Sequence, residues 1–402
     1  MSAAPVLLPG VVVNPDKALG VEPCMTLGVL GGGQLGRMFV HAAQQMGFDT
    51  AVLDPDAASP AGLVSHHHVQ TGYLDEAGLA RLAQLCDAIT TEFENVPAAA
   101  LAQLARQRVV APGAQAVSVA QDRALEKAHF TGCGVPCAPY AVIETAAQLA
   151  VVPDSLLPGI LKTCRLGYDG KGQARVGSRE ELASAWQGLK QVPCVLEKML
   201  PLQAECSVIV ARGRDGVCVN FPVQLNLHRD GILAVTEVHP GNLPAELAGL
   251  AVAAAKAVAQ GLQYVGVLCV EFFVLQDGAP GALRLVVNEM APRPHNSGHY
   301  TLDACDVSQF DLQVRTLAGL PLVQPRQHSP AVMLNLLGDL WQNGTPPWDR
   351  LLALPGVHLH LYGKTKAAPG RKMGHVNVTG ADPAQVRAVA QQAAALLGIA
   401  PF

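Results

Sequence analysis

Short apolar runs, divided by glycine-bearing turns and by longer amphipathic stretches, set the pattern of this chain from residue 25 onward. MTLGVL (25–30) reads as a buried strand, GGGQLG (31–36) as a tight turn, RMFVHAAQQMG (37–47) as a helix closed by glycine, and TAVLD (50–54) as a second strand. CDAITTEFENV (86–96) supplies a third strand whose end carries Glu92 and Glu94 on one face by two-residue alternation. The sequence predicts a Rossmann-like βαβ unit with ligands at the carboxyl edge of its sheet. Further on, ILKTCRLGYDGKGQARV (160–176) predicts a strand, a glycine-rich loop and a strand, and VPCVLEKMLPLQAECSVIVAR (192–212) two strands joined by a short connector. VGVLCVEFFV (265–274) places Glu271 in an apolar strand, and VVNEMAPRPHNSGHY (286–300) delivers Asn288 and Glu289 to a loop carrying Arg293, His295, Asn296 and His299. The alanine-rich AQVRAVAQQAAALLG (384–398) predicts a terminal helix. The fold class is α/β.

Composition narrows this picture. The 402 residues are 50% hydrophobic and 15% charged, enough apolar material for two or three globular domains. A net charge of -4 argues against a dominant nucleic-acid surface. The ten cysteines show no CxxC pair, so they read as reduced thiols of a cytoplasmic protein, with Cys133 and Cys137 structural. The opening run PVLLPGVVV (5–13) is broken by proline and glycine and lacks a basic leader; it reads as a loosely ordered extension. No run is long enough to span a membrane.

Several positions suggest chemistry. Gly31, Gly33 and Gly36 match the GxGxxG spacing, with Asp54 where a ribose-binding acid would end the second strand; alone, that implies a dinucleotide oxidoreductase, although such glycines serve any phosphate-bearing ligand. Glu94 reads as a solvated strand end and His66 to His68 as a polar loop. Arg123 and Lys127 share one helical face. Gly167, Gly170 and Gly172 let a loop fold over phosphates beside the point charge of Lys162, with Asp169 and Lys171 at its tip as a mobile lid. Glu271 and Glu289, if their strands run side by side, could hold magnesium ions bridging nucleotide phosphates. The basic GKTKAAPGRK (363–372) suits clamping a 5′-phosphate.

GGGQLGRM, TTEFENVP, KTCRLGYDGKGQ, NLHRDG, NEMAPRPHNSGH and YGKTKAAPGRKMGH, in that order, resemble the 5-(carboxyamino)imidazole ribonucleotide synthases, ATP-grasp ligases of purine biosynthesis; the resemblance runs from Met25 to the C-terminus. It implies an extension over residues 1–24, a Rossmann-like (pre-ATP-grasp) domain over 25–118, a split ATP-grasp domain over 119–320 with ATP between its halves, and a small C-terminal domain over 321–402. Carried over by motif, ATP would meet Arg123, Lys162, Gly167, Tyr168, Asp169, Gly170, Lys171, Gly172, Gln173, Glu197, Lys198, Met199, Leu200, Glu205, His228, Asn288 and Glu289. Two magnesium ions would sit at Glu271 and Glu289. The ribonucleotide would meet Gln34, Leu35, Glu92, Lys364, Arg371 and Lys372, along with the lid residues Asp169 and Lys171.

The resemblance implies that hydrogencarbonate attacks ATP to give carboxyphosphate and that aminoimidazole ribonucleotide is then carboxylated. Arg293, His295 and Asn296 would position the anion, and Asp169 and His295 are the candidates for removing the amine proton. A cytoplasmic homodimer is implied as well. Three rivals are a formate-dependent glycinamide ribonucleotide transformylase, which resembles this chain but has an acidic residue for Asn296 and Glu for Gln34; the nicotinamide-dependent oxidoreductase; and a non-catalytic ATP-grasp-like binding protein.

Overall fold

The protein is described here from a computed structural model that covers residues 5–10, 24–167, 172–276, 278 and 282–402. Three sheets carry the architecture. The first is wholly parallel, in the order His67–Val69, Asp49–Leu53, Thr26–Leu30, Ala88–Thr91, Val109–Val110. Every residue of Thr26–Leu30 is buried, because helices cover both faces; that is why the strand is written as an unbroken apolar run. One face packs on the helix Gln34–Gln45 through Phe39 and Val40, and on Phe310 and Val314 of the later helix Gln309–Ala318. The helices Glu76–Leu85 and Ala98–Leu104 cover the other. The expected glycine stop holds: Gly47 sits just past the first helix with φ +85°, a left-handed conformation that glycine adopts without strain.

Two local expectations change. His66 to His68 do not form a loop. His67–Val69 is the edge strand, His66 Nδ1 accepts the Thr50 N–H at 3.1 Å, and His68 Nε2 lies 3.0 Å from the Asp54 carbonyl, so the imidazoles serve the sheet edge. Part of the stretch expected to be a loose extension is docked: the Leu7 N–H donates to the Ala318 carbonyl at 2.8 Å, the Gly10 N–H donates to the Gly47 carbonyl at 3.1 Å, and Leu7 is buried.

The second sheet is antiparallel, in the order Tyr140–Ile143, Cys194–Lys198, Gly159–Thr163, Gln173–Val176. Its last two strands are the predicted hairpin around the glycine-rich loop. The third sheet has nine strands. Leu283–Ala291, Gly266–Gln276, Leu202–Arg212, Gln224–Arg229 and Ile232–Val238 lead into Ala331–Leu337, Lys372–Thr379 and Val357–Leu361, and Cys218–Asn220 pairs with Leu202–Arg212. The C-terminal strands therefore continue the same sheet, through the register Val235↔Leu334 to Val238↔Ala331. The helix Ala245–Gly261 lays Ala251, Ala255 and Val258 against Val208, Leu268 and Val270. The predicted terminal helix, Pro383–Leu397, packs Val386, Ala390 and Ala394 on Val376 and Val378.

All ten cysteines are free, and burial pushes thiols such as Cys86 and Cys206 up to about 12, as expected of inert core side chains. Among the described residues no helix is long and apolar enough to cross a membrane.

Candidate active site

The cleft between the four-stranded and nine-stranded sheets is built on one strand pair. Gly266–Gln276 runs antiparallel to Leu283–Ala291, and the register sets Glu271 directly opposite Glu289, the side-by-side placement read from the sequence. The register shifts immediately after this pair, between Glu271 and Phe272. Such a break re-aims side chains at the rim of a site.

Each carboxylate has a basic side chain beside it. Glu289 Oε2 is 3.0 Å from Arg123 Nη1, and Glu271 Oε1 is 3.0 Å from His295 Nε2. Burial alone would raise the Glu271 carboxyl, but His295 overrides it and holds the group down at about 2. His228 lies between Glu205, 2.7 Å from Nδ1, and Glu271, 3.9 Å from Nε2. Burial would lower the His228 pKa; the hydrogen bond to Glu205 and the charge of Glu271 raise it instead. Among the described residues, Glu205, His228 and Glu271 form a group whose candidate ligand atoms lie within 4.8 Å of one another. Asn288 Oδ1, one residue before Glu289, is buried without a hydrogen-bond partner.

A cavity of about 760 Å³ opens here, lined by Arg123, Lys162, Gly167, Gln173, Glu205, His228, Glu271, Asn288, Glu289, Arg293, His295 and Asn296. Gly172 lies at the base of the hairpin with φ +72°. Tyr168, Asp169, Gly170 and Lys171, the tip of the expected lid, lie outside the described residues. Glu197, Lys198, Met199 and Leu200 do not line this cavity. Glu197 is occupied within the protein: its Oε1 lies 3.2 Å from both Lys162 Nζ and Lys127 Nζ, with the carboxylate and Lys127 almost fully buried.

Sequence reasoning missed two acidic residues. Glu126 is buried beneath the cleft, where its Oε1 accepts the Met290 N–H at 2.6 Å. Burial, reinforced by Glu289, pushes its carboxyl up to about 8. Its spacing three residues beyond Arg123 in the helix Arg123–Gly132 was the available signal. Glu94 is not a solvated strand end; the strand stops at Thr91, and Glu94 Oε2 accepts from Arg293 Nε at 2.5 Å.

A second cavity, of about 680 Å³, brings together all six residues expected around the ribonucleotide: Gln34, Leu35, Glu92, Lys364, Arg371 and Lys372. They come from the first helical turn, the turn after the strand Ala88–Thr91 and the C-terminal basic loop with the first residue of the strand Lys372–Thr379. Lys364 Nζ donates to the Lys372 carbonyl at 2.6 Å, and burial, with Arg371 nearby, brings its pKa down to about 8. The two cavities share Glu94, Asn95, Arg293, His295, Asn296 and Lys372. Gln309 clamps this shared loop, accepting from the His295 N–H and donating to its carbonyl, both at 2.8 Å. Both amide atoms of Asn296 are buried without a protein partner, unusual for a polar group not kept for a ligand. His299 differs: it is 1% exposed, packed between Phe310 and His375, and burial holds its pKa well below the usual value, so it is a core residue.

The glycine fingerprint has an internal partner. Glu92 accepts the N–H groups of Gly33 at 2.5 Å and Gly36 at 2.7 Å, and Asp54 Oδ2 accepts from Gly32 N at 2.7 Å and Tyr73 OH at 2.7 Å. Burial raises the Glu92 carboxyl while these N–H groups pull the other way. A Cβ on Gly33 would meet Glu92 Oε1 at 2.5 Å, so glycine is needed for close approach to the chain's own carboxylate. With the helix N-terminus and Asp54 so engaged, the pyrophosphate and ribose places of a dinucleotide are taken. Titration with NAD⁺ or NADP⁺, followed by tryptophan fluorescence, is expected to show no saturable change up to millimolar concentrations; a micromolar dissociation constant would contradict this.

Comparison with known proteins agrees with this geometry. Residues 24–121 match the ribonucleotide synthetase preATP-grasp domain, 128–310 the ATP-grasp domain, and 331–389 the phosphoribosylaminoimidazole carboxylase C-terminal domain. The chain is 42% identical over 364 residues to the N5-carboxyaminoimidazole ribonucleotide synthase of Brucella melitensis, spanning 90% of this chain and 98% of that one. It superposes with a TM-score of 0.86 at 38% identity on an N5-carboxyaminoimidazole ribonucleotide synthetase solved with ADP, covering 96% of this chain and 97% of that one. The Aspergillus clavatus synthase solved with ADP and 5-aminoimidazole ribonucleotide gives 0.83 at 32%, covering 93% and 98%. The chain belongs to the N5-carboxyaminoimidazole ribonucleotide synthase family of ATP-grasp ligases.

Proposed function

We propose that the protein couples ATP cleavage to the carboxylation of 5-aminoimidazole ribonucleotide by hydrogencarbonate, giving the 5-(carboxyamino) product, ADP and phosphate in purine biosynthesis. The observation that carries this reading is the shared wall of the two cavities: Arg293, His295, Asn296 and Lys372 face both a nucleotide-sized cleft and a basic pocket. An anion activated on one side would be handed to an amine on the other without crossing solvent.

In this reading ATP lies in the first cavity with its phosphates toward Arg123 and Lys162. Hydrogencarbonate attacks the γ-phosphorus, and Arg293 and the amide of Asn296 hold the oxyanion. His295 has Nδ1 facing Ser297 Oγ at 2.9 Å and Nε2 facing Glu271, an arrangement that suits orienting the anion more than taking a proton. Glu271, Glu289 and Asn288 offer carboxylate and amide oxygens, the donors a hard divalent cation prefers. Magnesium bound there would offset charge on the phosphoryl oxygens. Lys364, Arg371 and Lys372 would clamp the 5′-phosphate, and Gln34, Leu35 and Glu92 would border the ribonucleotide. A cytoplasmic homodimer completes the reading, supported by the family resemblance and by ten unpaired thiols.

ADP release from Mg-ATP is expected to require aminoimidazole ribonucleotide together with hydrogencarbonate. Release only with glycinamide ribonucleotide and formate would make the protein a transformylase, against the neutral Asn296 and Gln34 found here. The phosphate clamp has its own test. Losing a charged hydrogen bond costs about 1.5–3 kcal/mol, so Arg371→Ala should raise KM for the ribonucleotide roughly 10- to 150-fold and leave KM for ATP unchanged. Because Lys364 is cationic below about 8 and neutral above it, KM for the ribonucleotide should also climb as pH rises through that value.

A further inference from the structure

Glu94 belongs to the turn that follows the strand Ala88–Thr91, in the N-terminal parallel layer. Its backbone carbonyl accepts from Gln121 Nε2 at 2.6 Å, and the same amide donates to the Val96 carbonyl at 2.6 Å. The turn is thereby pinned. From it the carboxylate reaches across to the loop after the strand Leu283–Ala291, where Glu94 Oε2 accepts from Arg293 Nε at 2.5 Å. Burial would raise the Glu94 carboxyl, but Arg293 holds it down at about 2, so the pair is ionised at neutral pH.

A guanidinium is planar, and its five N–H groups point in fixed directions. Two of those directions are used within the protein: Nε toward Glu94, and Nη1 toward the Pro294 carbonyl at 3.2 Å. With both set, the plane of the group is set, and the remaining hydrogens are left for the cavities whose walls Arg293 joins. Without Glu94, the Arg293 side chain, only 17% exposed, would keep its charge beside no acid and could rotate out of plane.

We propose that Glu94 is a positioning residue for the transfer step, fixing the guanidinium of Arg293 at the seam between the nucleotide cleft and the ribonucleotide pocket. Glu94 borders both cavities beside Arg293, and the role assigned to it is exerted through that guanidinium. This rests on the functional reading above, in which Arg293 holds the oxyanion.

The test is a double-mutant cycle on product formation and ADP release, using Glu94→Ala, Glu94→Gln, Arg293→Ala and the Glu94→Ala/Arg293→Ala pair. Losing a residue that orients a catalytic group costs about 10- to 100-fold. Glu94→Ala should therefore lower kcat by that factor while KM for ATP stays within about twofold. Glu94→Gln should recover part of the loss, because its amide oxygen still accepts from Nε. In the Arg293→Ala background, removing Glu94 should cost less than about twofold more, since the guanidinium through which it is proposed to act is gone. Equal losses in both backgrounds, or unchanged kcat in Glu94→Ala, would overturn the proposal. If Glu94→Ala fails to fold, the near-isosteric Glu94→Gln is judged by the same cycle, and additivity there overturns it. Wild-type protein separates the two levels: no ADP release requiring the ribonucleotide and hydrogencarbonate refutes the functional reading, whereas such release without coupling in the cycle refutes the role of Glu94 alone.

Discussion

Glu289→Ala should lower ATP turnover by roughly 100- to 1,000-fold or more, the scale seen when one preorganised electrostatic group is removed from a charge-transferring site, and it should leave the fold intact. The Glu289 side chain is 41% exposed, so solvent screens its ion pair with the less exposed Arg123. Removing Glu289 creates no large void but leaves Arg123, 18% exposed, without this acid, so the melting temperature should fall by a few degrees while the fold is kept. The main loss is functional. Glu289 faces Glu271 in register and stands beside the unpartnered Asn288 Oδ1, so three oxygen donors become two where the phosphates would be neutralised. Steady-state ADP release together with a thermal melt checks both halves of the expectation. Near-normal turnover in a folded variant would remove Glu289 from the phosphate-neutralising site.

Glu197→Ala should have the opposite signature, a large loss of stability. Glu197 is 3% exposed and sits between Lys127, 1% exposed, and Lys162. Removing the acid leaves two ammonium groups together without a countercharge, and breaking a buried pair from one side costs about 3–5 kcal/mol. Burial by itself would raise the Glu197 carboxyl; Lys162 and Lys127 reverse that and lower it. A lowered folded-state value means the stabilisation is fully present above the unfolded carboxyl range and is lost as pH falls below it. Urea midpoints measured from neutral pH down to below the ordinary carboxyl range should converge between wild type and Glu197→Ala toward the acidic end. The double change Glu197→Met/Lys127→Met should recover much of the loss, since an apolar pair can replace a buried ionic one. A Glu197→Ala midpoint within experimental error of wild type would show that the lysines find other partners.

Much of this was legible in the chain because periodicity and spacing speak directly about backbone. The parallel strand Thr26–Leu30 is mostly apolar because both faces are covered, and Glu271 and Glu289 stand out because a carboxylate inside an apolar strand needs a partner. The six residues that the motifs assign to the ribonucleotide line one cavity. What escaped depends on contacts between distant segments. Glu94 looked solvated because its partner, Arg293, lies 199 residues away. GxGxxG looked like a dinucleotide loop because nothing local says that Glu92 caps the Gly33 and Gly36 amides. His299 sits among polar neighbours in sequence and among Phe310 and His375 in space. No local pattern shows that Glu197 carries two lysines on the same oxygen.

The central claim is that phosphoryl transfer to hydrogencarbonate takes place at the wall the two cavities share. Turnover with freshly prepared ¹⁸O-labelled hydrogencarbonate, quenched before the label exchanges with water, tests it most directly. Attack on the γ-phosphorus makes one hydrogencarbonate oxygen the bridge of carboxyphosphate, and that oxygen stays with phosphorus whether the carboxyl group then passes directly to the amine or leaves first as CO₂. Inorganic phosphate carrying one ¹⁸O per product formed is the predicted result. Product accompanied by unlabelled phosphate would contradict the account, because ATP would then have been cleaved by some other nucleophile.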